Sequence, residues 1–181
     1  GALMRLALAD GIRFVLNGNN VATEGVLPFS WTYRKSDHIN IKDIHRRYGR
    51  GRIKTYPFYD FDTKQRVKTA GLESVALLDY IPYVKSDVRE LLKSELGWRD
   101  YGGKHYESIF TRFYQSYILP TKFGVEKRKA HYSSLICSGQ MTKAEALELL
   151  AEPPDTPEQI AADKAYVLKK LSMSEEIFDQ L

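Results

Sequence analysis

Cysteine is almost missing from this sequence. The single thiol, Cys137, can close no internal disulfide and build no cysteine zinc cluster. Nothing around it signals an activated thiolate, so it reads as a small buried hydrophobe. Long apolar runs are absent too: no stretch approaches the roughly 18 residues that a membrane helix needs. No charged-then-apolar leader precedes a cleavage site either, and the reading is a cytoplasmic protein without membrane insertion. The four histidines stand at 38, 45, 105 and 131 with no i, i+4 pair, so no metal site is expected. P-loop, GxGxxG and Ser/His/Asp patterns are missing as well. What is present excludes disorder, since 43% of the 181 residues are apolar and 12% aromatic, far from the composition of chains that cannot bury a core.

The net charge of +4 conceals an uneven distribution. Tyr101 to His131 carries six Lys/Arg against two Asp/Glu, whereas Thr142 to Leu181 carries four against nine. A basic middle and an acidic tail follow. On charge alone, the middle suits a polyphosphate, a nucleotide sugar or a nucleic acid.

The opening "GALMRLALADG" has a helical apolar pattern without an N-cap and starts ahead of any methionine, which points to a cut inside a larger protein. "IRFVLNGNN" reads as a buried strand running into a turn. Ser36 to Tyr48 reads as a helix with a serine N-cap, late basic residues and Gly49 as its stop. Thr63 to Tyr80 is a second helix candidate, weakened by Gly71, and a third starts at an N-cap Ser86 and ends at Gly97. From Tyr106 to Ile118, aromatic and aliphatic residues recur at i, i+3, i+4, i+7, i+8, i+11 and i+12, predicting a helix that begins near Lys104. Further helices are predicted from Val125 to Cys137, after the Thr142/Glu145 capping box, from Thr156–Pro157 to about Lys170, and after Ser174. "AEPPDTPEQ" is the linker candidate. The fold class is α/β but mostly α in this chain: the last strand or strands of an α/β nucleotide-binding domain over 1–62, then a helical region over 63–181.

Two places can hold a ligand. A strand that ends in a sharp Gly turn is where open α/β sheets bind nucleotides, so Asn17, Gly18, Asn19 and Asn20 can hydrogen-bond a base or ribose. An ordinary Asx turn is the competing reading. Glu24 can orient a ligand or Mg²⁺, or be merely solvated. In the basic middle, Gly102 and Gly103 can present backbone N–H groups to an anion beside the positive end of the following helix. Lys104, His105, Arg112, Lys122, Lys127, Arg128 and Lys129 would add donors, with surface dressing as the alternative for about half of them.

The segments "NGNNVATEGVLP.SW", "GWRDYGGKHYESIFTRFYQSYILPTKFG" and "KRKAHYSSLICSGQMTKAEALELL" together resemble the C-terminal portion of the N-acetyl sugar amidotransferases. These form a branch of the pyrophosphate-loop (PP-loop) ATP pyrophosphatases of bacterial surface-polysaccharide synthesis, O-antigen and lipopolysaccharide included. "YVKSDVRELLKSELG" is similar to the lysine–helix–glycine element of PP-loop enzymes and would set Lys85 near the nucleotide. The resemblance implies ATP and Mg²⁺ as cofactors. It also implies a reaction in which an acetamido oxygen of a nucleotide-linked sugar attacks the α-phosphorus, pyrophosphate leaves, and ammonia displaces AMP to give an acetamidino group. A separate glutaminase pair would deliver the ammonia. Such chemistry depends on positioning and charge neutralisation. The roles it implies are adenosine for Asn17, Gly18, Asn19 and Asn20, with Glu24 and Lys85 close by. Lys104, His105, Glu107 and Arg112 would serve the pyrophosphate or sugar nucleotide, and Lys127 and Arg128 would complete the anion clamp with Gly102 and Gly103. The SGGxDS loop of the family does not occur in these residues, so the chain alone is expected not to turn over ATP. A tRNA base as acceptor is one alternative. A basic helical nucleic-acid module is another, which the acidic tail argues against.

Overall fold

The structure is a computed structural model that describes residues 1–104 and 106–180. In chain order its elements are α1 (Ala2–Ala9), β1 (Phe14–Asn17), α2 (Val21–Glu24), α3 (His38–Tyr48), α4 (Phe61–Thr69), β2 (Glu73–Ala76), α5 (Lys85–Leu96), α6 (Ile109–Phe113), a π-type segment (Tyr114–Ile118), α7 (Leu119–Phe123), α8 (Lys127–Cys137), α9 (Lys143–Ala151), α10 (Pro157–Leu171) and α11 (Glu175–Gln180). The α/β class with a helical C-terminal part is what the sequence led us to expect. These elements form two compact units, one of residues 1–20 and 29–82, the other of 21–28 and 83–180.

In the first unit β1 and β2 pair in parallel, with Phe14 opposite Glu73 and Asn17 opposite Ala76. α1 lies against α4, and Ala7 and Leu72 are its buried apolar residues among those described. Three expectations change here. β1 is not buried: Phe14 and Leu16 are 55% and 63% exposed, because one strand alone pairs with it and no described helix closes over those side chains. The helix expected over Thr63–Tyr80 ends at Thr69, where Gly71 takes φ +63 and "ESVA" enters the sheet. α4 starts earlier, its N-cap Asp60 accepting from the Thr63 N–H at 3.0 Å and the Thr63 hydroxyl at 2.7 Å. The α3 cap is Asp37 rather than Ser36, its carboxylate accepting from the N–H groups of Ile39 and Asn40, since a carboxylate answers the helix dipole better than a hydroxyl.

The second unit holds the larger core. Phe113 is fully buried against Val167, Leu168 and Phe178, with Ile109, Tyr117, Ile118, Ile160 and Met173 around them. The aromatic stripe is therefore only partly core: Phe110 and Tyr114 stack on each other near solvent, their rings 6.1 Å apart. The helix carrying the stripe is interrupted by the π-type segment, where the Leu119 N–H donates to the Tyr114 carbonyl five residues back. Pro120 explains it: with no N–H and a bulky ring, it cannot continue α-type bonding to Ser116, and a wider turn absorbs the mismatch. α9 carries the full capping box of Thr142 and Glu145, and α10 is capped by Thr156 with Pro157 at its first position. The 151–159 stretch, read as a linker, is a packed turn inside this unit. The Arg128 guanidinium donates to the carbonyls of Leu149 and Glu152, and the Tyr106 hydroxyl donates to that of Pro154. Cys137 ends α8 exposed rather than buried.

Candidate anion-binding site

α5 begins at Lys85, and its N-cap Val84 has no side chain that can cap. A side chain 55 positions away does it instead: Gln140 accepts the Lys85 N–H at 2.8 Å and donates to the Tyr83 carbonyl at 2.9 Å. Ser86, expected as the cap, lies inside the helix and bonds to the Asp87 carboxylate. Gly97 does close α5, at φ 62.

Next to Lys85 stand two further cations. Its ammonium is held below the usual lysine range, first by burial, then by repulsion from Arg89 and Lys104. Among the described residues no carboxylate pairs with it. Arg89 is bound to the Asp100 carboxylate and lies over the Trp98 ring. Lys104 reaches the Glu24 carboxylate at 2.9 Å and the Thr23 carbonyl at 3.3 Å. Glu24 is placed by α2, which α8 pins from the side: the Ser134 hydroxyl accepts the Val26 N–H at 3.0 Å and the Ser138 hydroxyl donates to the Ala22 carbonyl at 2.9 Å. Glu24, Lys85 and Lys104, named from sequence, thus come together in one unit. Gln140, Ser134 and Ser138, which build the frame, carried no local signal.

The glycine pair serves the same turn. Gly102, at φ +89, donates its N–H to Asp100 at 3.0 Å, so that group is spent internally. A Cβ on Gly103 would sit 2.9 Å from the Tyr106 ring, which is why no larger residue fits there. The helix expected to start near Lys104 starts at Ile109, capped by Ser108. The turn at 101–104 needs the positive φ that Gly102 adopts. His105 lies outside the described residues, and Glu107 is exposed in that turn.

Arg112 has other work. Its guanidinium makes a two-pronged contact with the buried Asp163, at 2.6 and 2.7 Å, and Gln159 donates to the same carboxylate at 2.8 Å. Arg112 holds the Asp163 carboxyl below the usual range. Asp155, 4.0 Å from the same arginine, is pushed up by burial, and its Oδ2 has no hydrogen-bond partner. Arg128 binds Glu126, with Nη2 3.1 Å from Oε2, besides the two carbonyls of the 149–152 stretch. Lys127 is the half-buried first residue of α8. Both arginines thus have carboxylate partners inside the second unit.

In the other unit the turn after β1 is an Asx turn. The Asn17 carboxamide accepts from the Asn19 N–H at 2.9 Å and donates to Ser74 Oγ at 3.0 Å. Asn20 is buried, while Gly18 and Asn19 are exposed.

No curated protein and no solved structure matches the chain. Residues 107–181 match the family described as LPS biosynthesis protein WbpG-like, C-terminal domain. The chain carries, over its C-terminal segment, a domain similar to that of a lipopolysaccharide-biosynthesis protein.

Proposed function

We propose that the chain is the C-terminal part of an ATP-dependent amidotransferase of lipopolysaccharide biosynthesis. It would use ammonia from a separate glutaminase partner to convert an acetamido group of a nucleotide-linked sugar to an acetamidino group in the cytoplasm. One observation carries this: Lys85, half-buried and without a carboxylate of its own, next to Lys104 and Arg89. A desolvated ammonium repelled by two neighbouring cations is a site short of an anion, and a phosphate group supplies one. The same unit contains the segment similar to the lipopolysaccharide-biosynthesis domain.

The residues fit phosphate oxygens better than a resident metal. Among those described, no group of three His, Cys, Asp or Glu side chains can hold an ion. Mg²⁺ would therefore arrive on the nucleotide, keeping phosphate oxygens and water as ligands, with Glu24 as the carboxylate at hand. Bound ATP supplies the activation that makes an amide oxygen displaceable. Lys85 would hold a phosphate oxygen by charge and by one hydrogen bond, and Glu24 would aim the Lys104 ammonium at the same ligand.

Calorimetric titration of the 181-residue chain with UDP-N-acetylglucosamine tests the reading. Binding is expected, with about tenfold or greater loss in both Lys85→Ala and Lys104→Ala, the worth of one charge-assisted hydrogen bond, and no loss in the exposed Lys169→Ala. No binding, or tRNA bound in place of the sugar nucleotide, refutes it. The chain alone, lacking SGGxDS among its residues, is expected to release no pyrophosphate from ATP.

A further inference from the structure

The densest positive charge in the chain is not in its middle. Between positions 34 and 54 stand eight Lys/Arg against two Asp/Glu, an excess of six in 21 residues, and all eight cations are exposed. All of them belong to the first unit, whereas the cluster just described belongs to the second, and the proposed amidotransferase leaves them unused.

The two acids in this stretch are both consumed internally. Asp37 caps α3, and Asp43 is shared by Arg46 at 2.6 Å and Arg47 at 2.8 Å. One carboxylate cannot neutralise two guanidinium groups, so the outward field stays positive. Past α3 the chain folds back, with the His45 ring bonded to the Gly51 carbonyl at 3.0 Å and Gly51 at φ +69. That turn holds Arg50 and Arg52 next to the last turn of the helix, and among the described residues neither has a carboxylate partner.

α3 is also two-faced. Lys42 and Arg46 lie on one side together with the exposed Ile39; Ile41, Ile44 and Tyr48, at i, i+3 and i+7, lie on the other, and Arg47 stands at the border next to Ile44. Burial does not explain the apolar side: no residue of α3 is buried, Ile44 is 51% exposed and Tyr48 80% exposed. A helix with cations on one face and an uncovered aliphatic and aromatic stripe on the other has the pattern of segments that lie in a bilayer interface. A polynucleotide would use the cations but leave Ile41 and Ile44 in water; an anionic lipid surface uses both.

We propose that α3 and the Arg50–Lys54 turn form a docking surface for an anionic phospholipid bilayer, holding the protein at the membrane surface without spanning it. The absence of any helix long and apolar enough to cross a membrane among the described residues agrees with surface attachment. This inference does not depend on the proposed amidotransferase.

Co-sedimentation of the chain with phosphatidylcholine vesicles, with and without phosphatidylglycerol, tests it. Binding is expected with phosphatidylglycerol alone, and is expected to disappear in about 1 M salt, where the screening length falls to about 3 Å. Arg50→Gln with Arg52→Gln, neither residue packed against anything that the fold needs, is expected to weaken partitioning by about tenfold or more. Tyr48→Ser with Ile44→Ser is expected to weaken it as well and to abolish the blue shift of a fluorophore attached on α3. Equal binding to neutral vesicles, no vesicle binding at all, preference for a polynucleotide over the vesicles, or self-association through α3 in place of lipid binding would each overturn the proposal. So would vesicle binding that the Tyr48/Ile44 pair leaves unchanged. Circular dichroism of each variant shows that it is folded.

Discussion

Arg112 shows how a residue chosen for its charge can be committed to structure. A sequence gives a cation beside a glycine pair; it does not give Asp163, 51 positions later, whose carboxylate meets the guanidinium in two short hydrogen bonds. Asp163 is buried and Arg112 mostly so, and removing one partner strands the other. Asp163→Ala is therefore expected to destabilise the second unit by about 3 kcal/mol in urea unfolding. Arg112→Met combined with Asp163→Leu, which removes both charges and keeps the volume, is expected to recover most of that. The pH dependence has a definite sign. Asp163 has its folded pKa lowered from 3.8, so its stabilisation is complete above that value and is lost as the pH falls through the folded pKa. The double variant should lack this acid-side loss. A single variant as stable as the parent would show that the pair is not structural. Lys104 is the opposite case. Charge, glycines and resemblance singled it out in one short stretch, and the geometry adds its Glu24 partner.

The helix ends set apart what a local pattern can show. The caps of α9 and α10 were readable because Thr142 with Glu145, and Thr156 with Pro157, act within four residues of themselves. α5 was legible in extent but not in its cap, because the group that satisfies its first N–H comes from Gln140. The break after Phe113 was likewise hidden. Its aromatic period reads as one continuous helix, and Pro120 had to be weighed against that period rather than counted within it. Gln140→Ala removes a hydrogen bond at each side of the Val84 cap position and leaves the Tyr83 carbonyl without its donor. The expected cost is about 1 kcal/mol, with faster hydrogen exchange confined to the first turn of α5. Because Lys85 sits in that turn, sugar-nucleotide affinity should fall in parallel. Unchanged exchange there would mean that the cap is not needed to hold Lys85 in place.

At the scale of the whole chain, the alternation of strand and helix signals was enough for the class, while the grouping of segments was not. Residues 21–28 belong with the C-terminal unit through hydrogen bonds from Ser134 and Ser138, partners 108 and 116 positions away, and no window of sequence contains both ends. The two units also differ in how much they bury. The second unit buries Phe113, Leu135, Val167, Leu168 and Phe178, while in the first the buried apolar side chains are Ala7 and Leu72, and Phe14, Leu16, Leu3 and Leu6 are exposed. Apolar burial of about 25 cal/mol per Å² is the main term opposing chain entropy. A two-stranded parallel sheet, moreover, gains little from its own hydrogen bonds without layers on both faces. The first unit should thus open far more often than the second. In native-state hydrogen exchange, the amides of β1 and β2 are expected to exchange orders of magnitude faster than those of α8 and α10, and to do so without unfolding of the Phe113 core. Equal protection in the two units would show that the sheet is stabilised by something other than the side chains it buries.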